Sequence, residues 1–174
     1  MTCHALLGMC LAVSFSASAC SLDAQGLRAE GAFDRTLSVS GSVELEAQTG
    51  SGEIRIQTVR QTANGRADIT SSSGNITVSN AHGPLRLRTA SGAVVVNGQP
   101  VGTWSVRAAS GNVTLDVGAN AAFDLDAHSG SGRISSDLPV TITGPVSRRQ
   151  LSGRVRGGGP RIAVSTSSGA IRIR

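Results

Sequence analysis

The chain contains no lysine and no tyrosine, and its aromatics are only Phe15, Phe33, Phe123 and Trp104. A core must therefore be assembled from Val, Ile, Leu and Ala. Without stacking aromatics, a single-stranded nucleic-acid platform is not expected. The three cysteines, Cys3, Cys10 and Cys20, all lie near the N terminus. They exclude a disulfide framework or a cysteine metal site further along the chain. No Cys/His set has metal-ligand spacing, and no segment past residue 20 keeps a helical period. The Gly-rich turns carry Ser and Thr where a calcium β-roll needs Asp. Gly157-Gly-Gly-Pro160 leads into a strand pattern, so it is not a phosphate loop. No cofactor or metal is expected.

What the chain does contain is one unit repeated. A Ser-Gly or similar small-residue turn is followed at once by alternating apolar residues. The copies include Thr49-Gly-Ser-Gly-Glu-Ile-Arg-Ile56, Ser71-Ser-Ser-Gly-Asn-Ile-Thr-Val78, Ala108-Ala-Ser-Gly-Asn-Val-Thr-Leu115 and Thr166-Ser-Ser-Gly-Ala-Ile-Arg-Ile173. The marker glycines are Gly52, Gly74, Gly92, Gly111, Gly132, Gly153 and Gly169, with Leu151–Arg156 a degenerate copy. A period near 20 residues signals a stacked repeat. A second alternating segment lies between successive markers, for example Leu85-Arg-Leu-Arg88. Period two buries one face of a strand and wets the other. The expected fold is all-β: a β-solenoid, parallel β-helix-like, of about seven short turns with two strands per roughly 20-residue repeat. The alternative is an antiparallel β-sandwich in which each Ser-Gly closes a hairpin. Gly98–Gly102 and Gly144–Gln150 are expected as side loops of the solenoid. Segment Gly26–Ser40 is expected to cover the first turn. Arg172 and Arg174 on the last strand are expected to guard the far end against edge pairing.

Residues 5–15 form an apolar run too short to span a bilayer, followed by Ser16-Ala17-Ser18-Ala19-Cys20. Residues 1–19 read as a signal peptide, 20–26 as a tether and 27–174 as the folded domain. Ala17-Ser18-Ala19-Cys20 is similar to a bacterial lipobox, making Cys20 the expected lipidation site. The rival reading is plain cleavage and release. The protein is expected to be exported, as an outer-membrane lipoprotein or in the periplasm. Charge is uneven: residues 20–132 carry eight Arg against ten acids, and residues 133–174 carry eight Arg against Asp137 alone. Arg148, Arg149, Arg154 and Arg156 form the expected polyanion-binding patch.

Glu30-Gly-Ala-Phe-Asp-Arg-Thr-Leu-Ser-Val-Ser-Gly41 resembles the entry segment of the bacterial putative-adhesin domain family. Thr49–Ile56 and the closing Gly157-Gly-Gly-Pro160 with Thr166–Ile173 resemble that family's first and last repeats. The resemblance covers residues 27–174. It implies an exported β-strand-repeat protein of the cell envelope and supplies no catalytic residues.

Chemistry is sparse. Asp126, His128 and Ser129 suggest a triad only until strand alternation is applied, which turns Ser129 away. Asn75-Ile-Thr77 and Asn112-Val-Thr114 match a glycosylation sequon but sit at turn-to-strand junctions. Three functions are weighed. The first is a non-enzymatic, adhesin-like surface or interaction module. The second is a periplasmic binding or sensing module for an acidic polymer such as envelope polysaccharide or lipopolysaccharide. The third is a polysaccharide-active enzyme, which needs Asp116, Asp124 and Asp126 to converge.

Overall fold

The computed structural model describes residues 34, 44–57 and 65–174. The described residues form fourteen strands. The first eight are β1 Glu44–Ser51, β2 Ile54–Gln57, β3 Arg66–Ser73, β4 Ile76–Ala81, β5 Leu85–Ser91, β6 Val94–Gly98, β7 Trp104–Ser110 and β8 Val113–Val117. The rest are β9 Phe123–Ser129, β10 Ile134–Ser136, β11 Val140–Ser147, β12 Gln150–Val155, β13 Arg161–Ser168 and β14 Ile171–Ile173. Each coil contributes one strand to an eight-stranded sheet and the next to a six-stranded sheet, and the two sheets enclose the core. Pairing is parallel throughout, apart from the antiparallel pairs β11–β12 and β12–β9. The β-solenoid expectation is met, and the antiparallel sandwich is not.

Identical positions stack on one another. In the six-stranded sheet, Ile76, Val94, Val113 and Ile171 form one buried row, and Val78, Val96, Leu115 and Ile173 the next. β-Branched side chains suit such ladders because they pack well on a pleated surface. Trp104 and Phe123 are the largest wholly buried side chains. The Trp104 indole nitrogen donates to the Gly83 carbonyl at 3.0 Å, so burial leaves no polar atom unpaired there.

The coils do not stack in chain order. The eight-stranded sheet runs β1-β3-β5-β7-β13-β9-β12-β11, and the six-stranded sheet β10-β14-β8-β6-β4-β2. The last coil in sequence, β13–β14, is wedged between the fourth coil and the fifth. Its end is held from both neighbours: on the β8 side Arg174 N–H donates to Leu115 O at 2.9 Å and Val117 N–H to Arg174 O at 2.8 Å, and on the β10 side Asp137 N–H donates to Ile173 O at 2.8 Å. Arg172 and Arg174 therefore do not guard an end. They pair with Asp137 at 3.2 Å and Asp116 at 3.6 Å. The degenerate copy at Leu151–Arg156 is not a coil either. It is β12 of a hairpin whose other arm, β11, is the described edge of the larger sheet. Gly144–Gln150 is accordingly hairpin rather than side loop. That edge carries a register shift between Ile142 and Val146, and Pro145 has no N–H to offer a further strand. The expected cover from Gly26–Ser40 lies outside the described residues.

The turn glycines form a column that reports the same order. A Cβ on Gly74 would strike the Gly52 carbonyl. Likewise Gly92 would strike Gly74, Gly111 would strike Gly92, Gly169 would strike Gly111, and Gly132 would strike Gly169. Gly74 also has φ +135°, a region L side chains avoid. Beside the column, the Ala93 N–H donates to Asn75 Oδ1, and the Ala170 N–H donates to Asn112 Oδ1, each at 2.9 Å. The two sequon asparagines are thus clamps between neighbouring coils, as their junction position suggests.

Two outcomes follow for stability. Gly74→Ala should destabilise the fold by about 2–3 kcal/mol in denaturant unfolding, whereas Gly50→Ala, with open space and no positive φ, should change it by under about 0.5 kcal/mol. Ile173→Ala, in the wedged coil, should cost about 2–5 kcal/mol, and Ile56→Ala in the half-buried first coil distinctly less. Equal losses would contradict an internal position for the last strand.

Candidate functional site

The four arginines of the expected polyanion patch are divided by β12. Arg148 and Arg149 occupy the β11–β12 turn, and Arg154 and Arg156 lie at the other end of the strand, about 20 Å away at about 3.3 Å per residue. Arg154 and Arg156 are engaged. Arg154 Nε lies 3.7 Å from Asp124 Oδ1, and Arg156 Nη1 donates to Asn120 Oδ1 at 3.2 Å. Arg148 and Arg149 gain a companion that sequence distance hid. Ile134 N–H donates to Arg148 O at 3.0 Å, and Arg149 Nη1 donates to Gly130 O at 3.2 Å. These bonds draw the Gly130–Arg133 turn alongside and bring exposed Arg133 to the same corner.

The charge asymmetry of the chain is partly cancelled in space. Acids of the earlier repeats meet arginines of the later ones: Asp124 with Arg154, Asp126 with Arg161, and Asp116 with Arg174. This follows from topology, because β12 and β13 flank β9. All these side chains are at least 40% exposed, so each pair is worth no more than about 1 kcal/mol. They fix register and local neutrality more than they fix stability.

A hollow of about 340 Å³ opens over β9 on the outer face, lined by Asp124, Asp126, Ser152, Arg154 and Arg161 among others. Asp126 is occupied within it. Arg161 Nη2 donates to its Oδ2 at 2.7 Å, and Ser152 Oγ donates to its Oδ1 at 3.3 Å. Asp116 is elsewhere, on β8 of the other sheet. The convergence of Asp116, Asp124 and Asp126 required for polysaccharide chemistry does not occur. Ser129 points inward with no exposure. Its Oγ donates to Gly169 O at 2.9 Å and accepts from Gly132 N–H at 2.8 Å, while His128 faces out. Strand alternation separates them, and Ser129 serves the turn. Among the described residues no group of three or more His, Cys, Asp or Glu could hold a metal ion. Cys20, the expected lipidation site, lies outside the described residues.

The eight-stranded sheet presents its own outer face in rows that cross the strands. One row runs Glu46, Asp68, Arg86, Ser105, with Asp126 further along. The neighbouring row contains Thr70, Arg88, Arg107, Ser165, His128 and Gln150 in successive register. Arg86 lies 3.8 Å from Asp68. Arg88 and Arg107 are direct cross-strand partners, both exposed, with no ion pair or side-chain hydrogen bond among the described residues. Sequence reading missed this juxtaposition. Its only trace was the Arg at the same offset before two successive Ser-Gly turns, in Leu87-Arg-Thr89 and Val106-Arg-Ala108.

Comparison with known proteins agrees with the architecture. A crystal structure described as a putative cell adhesion protein from Clostridium sporogenes superposes with a TM-score of 0.63 at 10% identity, covering 76% of this chain and 92% of that one. At that identity the likeness concerns the fold. None of the curated proteins matches. The family model described as Toastrack DUF4097 matches residues 14–174, which spans the expected repeats and the whole described β-solenoid. The chain belongs to the Toastrack DUF4097 family.

Proposed function

We propose that this protein is a non-enzymatic, adhesin-like interaction module displayed at the cell envelope on a rigid β-solenoid. The observation that carries this reading is the division of labour within each strand. Inward positions are spent on a continuous aliphatic core, and outward positions present broad, regular rows of Ser, Thr and Arg. A stacked sheet of this kind offers a large preorganised surface at little conformational cost on binding. The description of the Clostridium sporogenes structure as a putative cell adhesion protein is in keeping with it. Export is supported by the apolar run and Ala17-Ser18-Ala19-Cys20, with Cys20 as a lipid anchor to the outer membrane, or a periplasmic protein if that anchor is not made.

A second reading, binding of an acidic envelope polymer such as lipopolysaccharide, rests on the corner formed by Arg133, Arg148 and Arg149. Arg154 and Arg156 contribute less to it because they are engaged with Asp124 and Asn120. Nucleic acid has no support beyond positive charge, and an enzyme acting on polysaccharide has lost its acid cluster.

Anchoring and binding are tested separately. Cys20→Ser should abolish uptake of labelled fatty acid and move the protein from membrane to soluble fractions. An unchanged distribution, with no label on the unaltered protein, rejects the anchor. Beads coated with the protein should bind intact cells or isolated envelopes saturably, and heat-unfolded protein should not. Absence of saturable binding to any surface would leave a structural spacer in place of an interaction module.

A further inference from the structure

We infer that the row crossing the eight-stranded sheet through Arg88 and Arg107 is a docking track for a linear acidic polysaccharide. The inference rests on the interaction-module reading above and names the face and the ligand class.

Three observations carry it. First, Arg88 and Arg107 are in-register partners on adjacent parallel strands, which places their backbones about 4.8 Å apart. Like charges directly opposite one another destabilise a sheet. The nearby Arg86 adds a third guanidinium, and Asp68, at 3.8 Å, is the acid paired with it. The local excess of positive charge is built into the repeat and left without an internal partner. Second, the row they occupy holds no acid along its length. Thr70 lies on one side, and Ser165, His128 and Gln150 follow on the other, all with groups that bond sugar hydroxyls. Third, the next outward positions along the strands, Ser72, Ala90, Ala109 and Ser167, are small and exposed. They leave a shelf beside the guanidinium groups, where bulky side chains would have blocked an extended chain.

The chemistry favours a glycan over other polyanions. A guanidinium presents a planar fork that matches a carboxylate or sulfate with two parallel N–H···O bonds. The track holds no Phe, Tyr or Trp, and His128 is its one ring, so successive flat bases would lack the stacking platforms that single-strand binders use. Hydroxyl and amide groups flanking the arginines suit a polymer that alternates charged groups with hydroxyls. The direction also fits: the row runs across the strands, so each coil adds one side chain to a straight line, and a stiff linear chain can meet several at once. Arg133, Arg148 and Arg149 form the corner at the turn end of β11–β12, beyond Gln150, where the row ends.

The test uses the purified full chain in mild detergent, with immobilised polygalacturonate and heparin as probes, neutral dextran as blank, and single-stranded oligothymidylate as the competing polyanion. The unaltered protein should bind the acidic glycans, with affinity falling as salt rises. The double variant Arg88→Gln/Arg107→Gln should bind them at least about tenfold more weakly, since two charge-assisted contacts are lost. Arg55→Gln, on the other sheet and paired with Glu53, should bind as the unaltered protein does. The Arg88/Arg107 double variant should melt at the same temperature or higher, because a like-charge contact has been relieved. Loss of binding in an Arg148→Gln/Arg149→Gln variant with none in the Arg88/Arg107 variant would assign the glycan to the hairpin corner and overturn the track, as would equal loss in Arg55→Gln or oligothymidylate held as tightly as the glycans. A lowered melting temperature in the Arg88/Arg107 variant would overturn it too, by giving those residues a structural role. If the protein binds cells saturably but no acidic glycan, the track fails and the interaction-module reading stands. If it binds neither, both fail.

Discussion

The structure depends on the insertion of the last coil between the fourth and the fifth. β13 is hydrogen-bonded to β7 on one side and β9 on the other, and β14 likewise joins β8 to β10. The first four coils and the β9–β12 unit meet chiefly through this wedge. Ile162, Val164, Ile171 and Ile173, all buried, supply the core at that level. The chain must therefore synthesise both walls of a slot before it makes the segment that fills it. The linker that permits this is Arg156-Gly-Gly-Gly-Pro160, with positive φ at Arg156, Gly157 and Gly158. It carries the chain from β12 past the end of β9 to the slot. Glycine is suited to that crossing because φ > 0 costs it little.

The insertion also explains why the charge distribution of the sequence misleads. Read linearly, the last third is strongly basic and free of acids but for Asp137. Folded, β12 and β13 lie on either side of β9, whose outward positions are Asp124 and Asp126, and β14 lies beside β8, which carries Asp116. Half of the arginines that look like a surface for partners, Arg154, Arg161, Arg172 and Arg174, are paired with carboxylates within the protein. Of the arginines left without a carboxylate, Arg133, Arg148 and Arg149 stay at the hairpin corner, and Arg88 and Arg107 belong to repeats whose local sequence, Leu85-Arg-Leu-Arg88 and Trp104-Ser-Val-Arg107, looks like ordinary amphipathic strand.

The solenoid itself was legible because its causes are local. Period-two alternation marks the buried face, Ser-Gly marks the turn, and near-identical flanks imply stacking in register. The inward fate of Ser129 and the junction role of Asn75 and Asn112 followed from the same alternation. What could not be read was the order of stacking, because every coil offers nearly the same edge to its neighbours. Ile171 and Ile173 would pack as well beyond β10 as before it. The distinction rests on details such as the Ala170 N–H meeting Asn112, and on the longer Ser129–Arg133 turn, which matters only once the neighbours are known. The hairpin at β11–β12 was misread for a related reason. Leu151-Ser-Gly-Arg-Val-Arg156 has the composition of a repeat, but its Gly153 lies buried within a strand opposite Leu125 and makes no turn.

A repeat fold separates two properties that most enzymes combine in one residue set. The core needs only apolar side chains at alternate positions, so outward positions are free to vary without endangering the fold. A functional surface on such a scaffold should then be sought where outward residues do something the fold does not require. Salt bridges such as Arg161–Asp126 fail that criterion, since they satisfy themselves. Arg88 beside Arg107 meets it, since cross-strand repulsion is a penalty that an outside anion would remove. On a surface built by translation, one coil after another, the natural partner of such a row is a molecule with a repeat of its own.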